Sequence, residues 1–209
     1  MKIAIIGTGN VGGTLGARWG KAGHTVVYGS RQPEREDVQA LVANSGDSAA
    51  AAPPVEAVAG AEVVLLAVPW RAAEDAATTV ANWQNKILID ATNPIAPGFQ
   101  LAVGGESSGA EQIAARAHGA RVVKAFNTTG WDNMADPDYD GEAATMFICG
   151  DDEAAKETVA DLAETLGFDV ADVGGLAAAR WLEPMAMAWI SLAMRQGLGR
   201  NIAFRLMRR

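Results

Sequence analysis

A glycine-rich loop near the start of the chain could bind a diphosphate. It consists of Gly7, Thr8, Gly9, Asn10, Val11 and Gly12. The loop matches G-x-G-x-x-G, follows a short apolar run and precedes a predicted helix, which is the context that makes this pattern informative. Gly7 would permit a tight turn, Gly9 would let a pyrophosphate approach the main chain, and Gly12 would let helix and strand pack closely. The free N–H groups and the dipole of the helix N-terminus would then bind the phosphates.

The end of the second predicted strand carries the residues that would choose between NAD and NADP. An acidic residue about 20 positions after the glycine loop usually accepts the ribose 2′-hydroxyl of NAD, but this strand ends in Gly29-Ser30-Arg31. Ser30 could donate to a 2′-phosphate, and Arg31 could stack on adenine and pair with that phosphate. Arg35, one helical turn later, could assist. This segment therefore predicts NADP(H) as the cofactor.

Two later strand ends would flank the nicotinamide ring. They carry Val68-Pro69-Trp70 and Asn93-Pro94. Pro69 and Pro94 would form rigid walls without hydrogen-bond donors, and Asn93 would hold the carboxamide or the ribose. Trp70 would either stack on a planar ring or cap the following helix, since aromatic residues serve both roles at pocket mouths.

Side chains that could donate a proton beside a transferred hydride are few. His24 lies between a helix and a strand and His118 ends a helix, so structural or surface roles are favoured for both. Lys124 lies within a strand, and its tip could reach outward. Tyr28 and Tyr139 have no supporting partner nearby in the sequence. No catalytic residue is assigned, and the shortage favours an acceptor that needs no protein acid, such as a flavin-like ring.

Two other features point away from metal or thiol chemistry. Residues 136–141 copy the D-x-D-x-D-G start of a calcium loop, but Phe147 stands where the bidentate glutamate is due. We expect a solvated acidic turn and no metal site. Cys149, the one cysteine in the chain, lies in an apolar strand and is expected to be buried and unreactive. A single cysteine also excludes an internal disulfide framework and a cysteine-rich zinc site.

The composition is that of a globular protein, with 209 residues, 49% of them hydrophobic and 20% charged. Seventeen Lys and Arg against 25 Asp and Glu give a net charge of −8, which disfavours general nucleic-acid binding. The longest uncharged apolar runs, at residues 63–70 and 184–194, are shorter than the about 20 residues of a membrane span. No secretory signal precedes the first strand. We expect a cytoplasmic protein with small-molecule substrates and no nucleic-acid or membrane partner.

Strands alternate with helices along the chain, a pattern typical of an α/β, doubly wound parallel sheet covered on both faces. Strands are predicted over residues 3–6, 25–28, 62–68, 86–90, 121–126, 145–149 and 169–173. Helices are predicted over residues 11–22, 33–44, 53–59, 72–82, 109–117 and 151–166, with one or two more over 181–206. Residues 94–108 and 130–142 read as loops. The predicted organisation is a Rossmann domain over residues 1–174 and a short C-terminal helical extension over 175–209, packing on the same core.

Several motifs together resemble two families. The glycine loop, Gly29-Ser30-Arg31, residues 68–70 and residues 150–152 resemble the coenzyme F420-dependent NADP oxidoreductases. Residues 123–127 and 174–183 also resemble the cytosolic reductase domain of six-transmembrane ferric reductases. The resemblance covers nearly the whole chain. It implies a Rossmann fold, bound NADP(H), and hydride transfer between nicotinamide and a deazaflavin (coenzyme F420) or flavin ring.

The resemblance also implies roles for individual residues. It makes Thr8, Gly9, Asn10 and Val11 pyrophosphate contacts, Ser30 and Arg31 2′-phosphate contacts, and residues 68–70 part of the nicotinamide wall. It places the substrate pocket near Asn127, Thr128 and Leu176. Residues 126–131 depart from the His-Thr-x-Pro type of stretch expected in the deazaflavin enzymes, which leaves the second substrate open.

Two alternatives remain at this point. The chain could be an NADPH-dependent reductase of a small carbonyl or imine, with the short C-terminal region completed across a dimer. It could also be a non-catalytic NADP(H)-binding sensor. The Met- and Trp-rich C-terminal helices predict core packing or a dimer face, and we expect a homodimer.

Overall fold

The computed structural model describes residues 1–80 and 83–209 and contains an eight-stranded sheet with a hydrophobic core on each face. Its strands are β1 (Lys2–Ile6), β2 (Thr25–Gly29), β3 (Ala50–Ala52), β4 (Val63–Leu66), β5 (Ile87–Asp90), β8 (Arg121–Lys124), β11 (Thr145–Gly150) and β12 (Asp169–Asp172). Two small hairpins add β6 (Ile95–Ala96) with β7 (Gln100–Leu101), and β9 (Asp138–Tyr139) with β10 (Glu142–Ala143).

Helices connect these strands. They are α1 (Asn10–Lys21), α2 (Glu36–Asn44), α3 (Pro54–Ala59), α4 (Ala73–Thr79), α5 (Gly109–Arg116), α6 (Trp131–Ala135), α7 (Glu153–Glu164) and α8 (Ala179–Ile190). Short 3-10 turns cover Trp70–Ala72 and Leu176–Ala178, and a π-helical turn covers Ser191–Arg195. Among the described residues, no helix is both long enough and apolar enough to cross a membrane.

The strand order is β12-β11-β8-β5-β4-β1-β2-β3, and the six strands from β3 to β8 run parallel. The order reverses between β1 and β4, which is the position where doubly wound sheets bind ligands. Alternate residues of β1 enter opposite cores, Ile3 and Ile5 on one face and Ala4 and Ile6 on the other. Burial on both faces explains why this strand is an unbroken apolar run. The predicted Rossmann architecture is confirmed.

The last two strands do not follow the predicted parallel direction. β11 pairs antiparallel with the end of β8, through Cys149 with Lys124 and Gly150 with Val123, and β12 runs parallel to β11. The chain between β8 and β11 holds only α6 and the β9–β10 hairpin, and α6 packs on α1. This connection does not carry the chain back to the amino ends of the strands, as a parallel strand would require. The next strand therefore runs antiparallel to β8.

Several element boundaries also differ from the predictions. Strand β3 lies directly before the helix predicted over residues 53–59, in a segment for which no strand was predicted. Helix α6 lies in the segment 130–142, which was predicted to be a loop. The helix predicted over 33–44 begins at Glu36. The helix predicted over 72–82 is α4 with its preceding 3-10 turn, and residues 81 and 82 lie outside the described residues. Helix α7 is capped by Asp152, whose carboxylate accepts the Ala155 N–H, while Asp151 accepts the Leu176 N–H instead.

The C-terminal segment is helical only as far as Arg195, so the prediction of helix to residue 206 is wrong. Gly197 and Gly199 have φ of +73° and +76°, a left-handed backbone that cannot continue a helix. The chain then runs back over the start of β11. There the Phe204 carbonyl accepts the Thr145 N–H at 2.9 Å, and the Ile202 carbonyl accepts Trp189 Nε1 at 2.7 Å.

Candidate functional site

The three glycines of the G-x-G-x-x-G motif, which runs from the end of β1 into α1, have different structural roles. Gly7 has φ of +116°, and a Cβ there would collide with the Ala67 carbonyl. A Cβ on Gly12 would collide with the Gly7 carbonyl oxygen. Gly9, which is exposed and precedes α1, has no atom within 4 Å of an added Cβ. Packing therefore requires Gly7 and Gly12, whereas the space beside Gly9 is left open for a ligand.

Helix α1 is held close to its neighbours by glycines spaced four residues apart. Beyond Gly12, a side chain on Gly16 would collide with the Tyr28 ring, and one on Gly20 with the Ser45 carbonyl. Tyr28 Oη lies 2.7 Å from Ser45 Oγ inside the same contact. This close packing fixes the N-terminus of α1, with its free N–H groups, against the carboxyl edge of the sheet.

A cavity of 830 Å³ runs from the glycine loop to the end of β2. Its lining residues are Ile6, Gly7, Thr8, Gly29, Ser30, Arg31, Gln32, Arg35, Pro54, Val68, Ala72, Asp75, Ala76, Thr79 and Val80. The structure thus brings together the predicted diphosphate loop and the predicted 2′-phosphate residues. A volume of this size lies within the range of ligand sites.

The two arginines of this cavity differ in availability. Arg31 is exposed, and its guanidinium has no hydrogen-bond or ion-pair partner in the described part of the chain. Arg35 donates to both carboxylate oxygens of Asp37, through Nε at 2.6 Å and through Nη2, and this pair lowers the pKa of Asp37. The Ser30 hydroxyl accepts the Gln32 N–H at 3.2 Å and keeps its own proton for another acceptor. Their predicted contacts with the cofactor stay predictions.

The predicted nicotinamide wall is only partly open. Val68 lines the cavity and Pro69 is exposed. Trp70 is half-buried and Pro94 buried, and both pack at the start of α5, where a Cβ on Gly109 would meet them at 3.1 and 3.3 Å. The Trp70 side chain therefore contacts the start of α5, and both the stacking and the helix-capping interpretations stay predictions.

Asn93 and Asn127 form a reciprocal pair that joins the ends of β5 and β8. Asn93 Nδ2 donates to the Asn127 carbonyl at 2.9 Å, and Asn127 Nδ2 donates to Asn93 Oδ1 at 3.1 Å. Asn127 Nδ2 also donates to the Leu182 carbonyl of α8 at 3.0 Å. The structure therefore places a residue of the predicted cofactor site against one of the predicted substrate pocket.

The other two predicted pocket residues are also buried. Thr128 follows Asn127 directly, and Leu176 belongs to the core on one face of the sheet, with its carbonyl 3.8 Å from Cys149 Sγ. None of these three residues lines the 830 Å³ cavity. The substrate pocket at Asn127, Thr128 and Leu176 stays a prediction.

A buried charge cluster lies behind these strand ends. Lys124 is fully buried, and its Nζ lies 2.9 Å from Asp90 Oδ2, 3.0 Å from Glu183 Oε1 and 2.6 Å from the Thr92 carbonyl. Glu183 also accepts two main-chain N–H groups at the start of α5. Burial alone would lower the pKa of Lys124, but the two carboxylates outweigh it and raise that pKa. The expectation of an outward-reaching lysine tip is therefore wrong.

Part of this cluster could be inferred from the sequence. A lysine inside an apolar strand requires a compensating charge, and the register of β5 with β8 places Asp90 directly beside Lys124. Glu183 is 59 positions further along the chain, and no local pattern connects it to either residue. The cluster was not predicted, because the strand pairing that joins Lys124 to Asp90 is not visible in either strand alone.

Tyr139, Cys149 and the acidic segment at residues 136–141 have structural roles. Tyr139 Oη donates to Asn133 Oδ1 at 2.8 Å. Cys149 is buried as predicted, and burial raises the pKa of its thiol to about 12. Residues 136–141 comprise the approach to β9, β9 itself and the turn into β10, and Asp138 accepts the Gly141 N–H. Within the part of the chain that is described, no three potential ligands are grouped to hold a metal ion.

Comparison with known proteins places the chain in a family. Residues 2–94 match the model of a family described as NADP oxidoreductase, coenzyme F420-dependent. The chain is 33% identical to the F420-dependent NADP reductase of Methanothermobacter thermautotrophicus, over 99% of this chain and 94% of that relative. The chain belongs to the F420-dependent NADP oxidoreductase family. It is an NADP-dependent oxidoreductase, and the resemblance drawn from the motifs is confirmed.

Two further similarities support this assignment. A crystal structure of a proposed F420-dependent NADP reductase from Arthrobacter sp. FB24 superposes with a TM-score of 0.88, at 33% identity and over the full length of both chains. The metalloreductase STEAP3 of Rattus norvegicus is 34% identical over 89% of this chain. This chain spans 36% of the length of that relative, so the similarity concerns one part of the rat protein.

Proposed function

We propose that this oxidoreductase transfers a hydride between NADP(H) and a deazaflavin or flavin ring, with coenzyme F420 as the first candidate acceptor. The observation that carries the proposal is the unpaired Arg31 guanidinium beside an open glycine loop. No acidic side chain stands at the end of β2 to accept a ribose 2′-hydroxyl. The names of the family and of its reductases supply the acceptor class.

The residues of this site would bind and orient the dinucleotide. Main-chain N–H groups at the start of α1 would hold the pyrophosphate, with Gly9 leaving room for its approach. Ser30 and Arg31 would hold the 2′-phosphate through charge-assisted hydrogen bonds. The Asn93–Asn127 pair would position the nicotinamide end. When bound, the cofactor supplies the hydride, which moves between nicotinamide and the acceptor ring, and the accompanying proton is exchanged with water.

The state of the candidate proton donors favours a ring acceptor over a simple carbonyl. Lys124 is enclosed by two carboxylates, and the Tyr28 and Tyr139 hydroxyls are hydrogen-bonded inside the protein. A carbonyl reductase needs a donor within hydrogen-bond reach of the substrate oxygen. A deazaflavin or flavin needs mainly face-to-face positioning of two rings, which lowers the entropic barrier.

The test is a spectrophotometric panel with the purified protein. NADPH and NADH are each combined with coenzyme F420, FMN, ferric chelates, and small carbonyls and imines, and nicotinamide oxidation is followed. We expect turnover with NADPH and F420 or a flavin, and little with NADH. Turnover restricted to carbonyls or imines would overturn the proposed acceptor. Tight NADPH binding with no turnover across the panel would support a sensor instead.

A further inference from the structure

One wall of the 830 Å³ cavity is a single face of α4 and its flanking residues. Its members are Ala72, Asp75, Ala76, Thr79 and Val80, spaced i, i+3, i+4, i+7 and i+8 as on one side of a helix. The face is built mostly from small side chains, so a planar ring can lie flat along it. Arg31 lines the same cavity from the end of β2, where its guanidinium can stack on such a ring.

Asp75 is the charged residue of this face, and it is available to a ligand. Its side chain is exposed, and its carboxylate has no partner among residues 1–80 and 83–209. The acidic neighbours are occupied, since Glu74 pairs with Arg116 at 3.3 Å and Asp37 pairs with Arg35. This carboxylate is therefore free to accept a hydrogen bond from a ligand in the cavity.

The chemistry of the dinucleotide restricts what that donor can be. An ionised carboxylate accepts hydrogen bonds and cannot donate. In the adenosine 2′-phosphate half, the 2′-oxygen is esterified, which leaves the ribose 3′-hydroxyl and the 6-amino group of adenine as donors. The ribose lies at the glycine loop and Ser30 in this architecture. A base directed from there along the α4 face would meet Asp75, which lines the same cavity.

We propose that Asp75 is a specificity-determining residue that recognises the 6-amino group of the adenine base. The inference rests on the proposed binding of NADP(H) and adds a selection for 6-aminopurine over 6-oxopurine dinucleotides. In hypoxanthine the amino group is replaced by a carbonyl oxygen. That oxygen would face the carboxylate with no proton between two acceptors, which costs binding free energy.

The test compares NADPH with its hypoxanthine analogue, reduced nicotinamide hypoxanthine dinucleotide phosphate. The dissociation constants of both are measured by fluorescence titration at one ionic strength. We expect the parent protein to bind NADPH about tenfold more tightly. Asp75→Asn should bring the ratio of the two constants close to one, because an amide can either accept from the amino group or donate to the carbonyl. The ratio is the readout, since loss of a negative charge strengthens the binding of both polyanions.

Glu74→Gln is the matched control, because it removes the adjacent acidic charge from a residue that does not line the cavity. It should leave the tenfold ratio unchanged. A parent ratio near one, or a ratio that Asp75→Asn does not reduce, would overturn this inference while leaving NADPH binding intact. If the parent binds neither dinucleotide, the proposed function fails and this inference fails with it.

Discussion

At the scale of single residues, the two arginines that follow β2 differ in whether they have a partner inside the protein. Arg31 has no internal partner, whereas Arg35 is held by Asp37 on the same surface. A phosphate that binds Arg35 has to compete with that carboxylate. Discrimination by the 2′-phosphate should therefore depend mainly on Arg31.

Replacing Arg31 by alanine tests this difference. Arg31→Ala should weaken NADPH binding by about 1–3 kcal/mol, because a charge-assisted contact is lost, and should weaken NADH binding less, because NADH loses only the stacking of the guanidinium on adenine. Arg35→Ala should have a smaller effect on NADPH. Fluorescence titration of both dinucleotides with both variants measures these changes. Equal losses for NADPH and NADH in Arg31→Ala would refute the 2′-phosphate assignment.

The glycine loop offers a second contrast, between Gly9 and Gly12. Gly9→Val places its side chain in open space, so the melting temperature should stay close to that of the parent while both dinucleotides lose binding. Gly12→Ala puts a Cβ into the Gly7 carbonyl and should destabilise the fold itself. Thermal unfolding and cofactor titration of the two variants separate the roles. Normal titration of Gly9→Val would contradict the pyrophosphate assignment.

At the scale of elements, the buried cluster of Lys124, Asp90 and Glu183 joins β5, β8, α5 and α8. Removing the lysine leaves two carboxylates without a cation in a site that excludes water. We expect Lys124→Met to cost about 3–5 kcal/mol of unfolding free energy, as measured by urea denaturation. A loss of unfolding free energy below about 1 kcal/mol would show that the cluster contributes little to holding these elements together.

The pH dependence of this stabilisation has a definite sign. The pKa of Lys124 is higher in the folded chain than in the unfolded chain, because the two carboxylates favour the ammonium. The contribution is therefore fully present below the unfolded pKa, about 10.4, and is lost as the pH rises through the folded value. The difference between the parent and Lys124→Met should be constant from pH 7 to 9. A difference that falls within that interval would contradict the raised pKa.

Elements with local signals could be predicted from the sequence. The glycine loop, the unbroken apolar run of β1 and the end of β2 each depend on neighbouring residues, and the structure brings them to one cavity. The direction of β11 depends on how α6 packs against α1, and the cluster at Lys124 depends on Glu183 in a distant helix. Neither the direction of β11 nor the cluster is encoded in a repeating local pattern, so neither could be predicted from the sequence.

At the scale of the whole molecule, α8 presents an apolar stripe to solvent. Its exposed members are Trp181, Pro184, Ala188 and Leu192, with Trp181 at 69% exposure. These spacings place them along one side of the helix and its π-helical turn. An exposed patch of this kind is typical of a protein–protein contact, so the predicted homodimer would use it.

The oligomeric prediction can be tested with one substitution. We expect the parent to sediment as a dimer, and Trp181→Glu to sediment as a monomer because it replaces the largest exposed apolar side chain of the stripe by a charge. Circular dichroism should show an unchanged fold, since the Trp181 side chain makes few internal contacts. A parent that sediments as a monomer, or a variant that remains dimeric, would rule out this interface.

The glycines along α1 also affect how much of the proposed nucleotide site is ordered before binding. At Gly12, Gly16 and Gly20, α1 packs so closely against backbone and ring atoms that no side chain fits between them. We therefore expect the proposed pyrophosphate-binding corner to be ordered before the nucleotide binds, with its conformational entropy already lost on folding. An arriving dinucleotide has to immobilise little more than the side chains after β2. We therefore expect the dinucleotide to bind at the N-terminus of α1 without rearrangement, and the side chains after β2 to become ordered on binding.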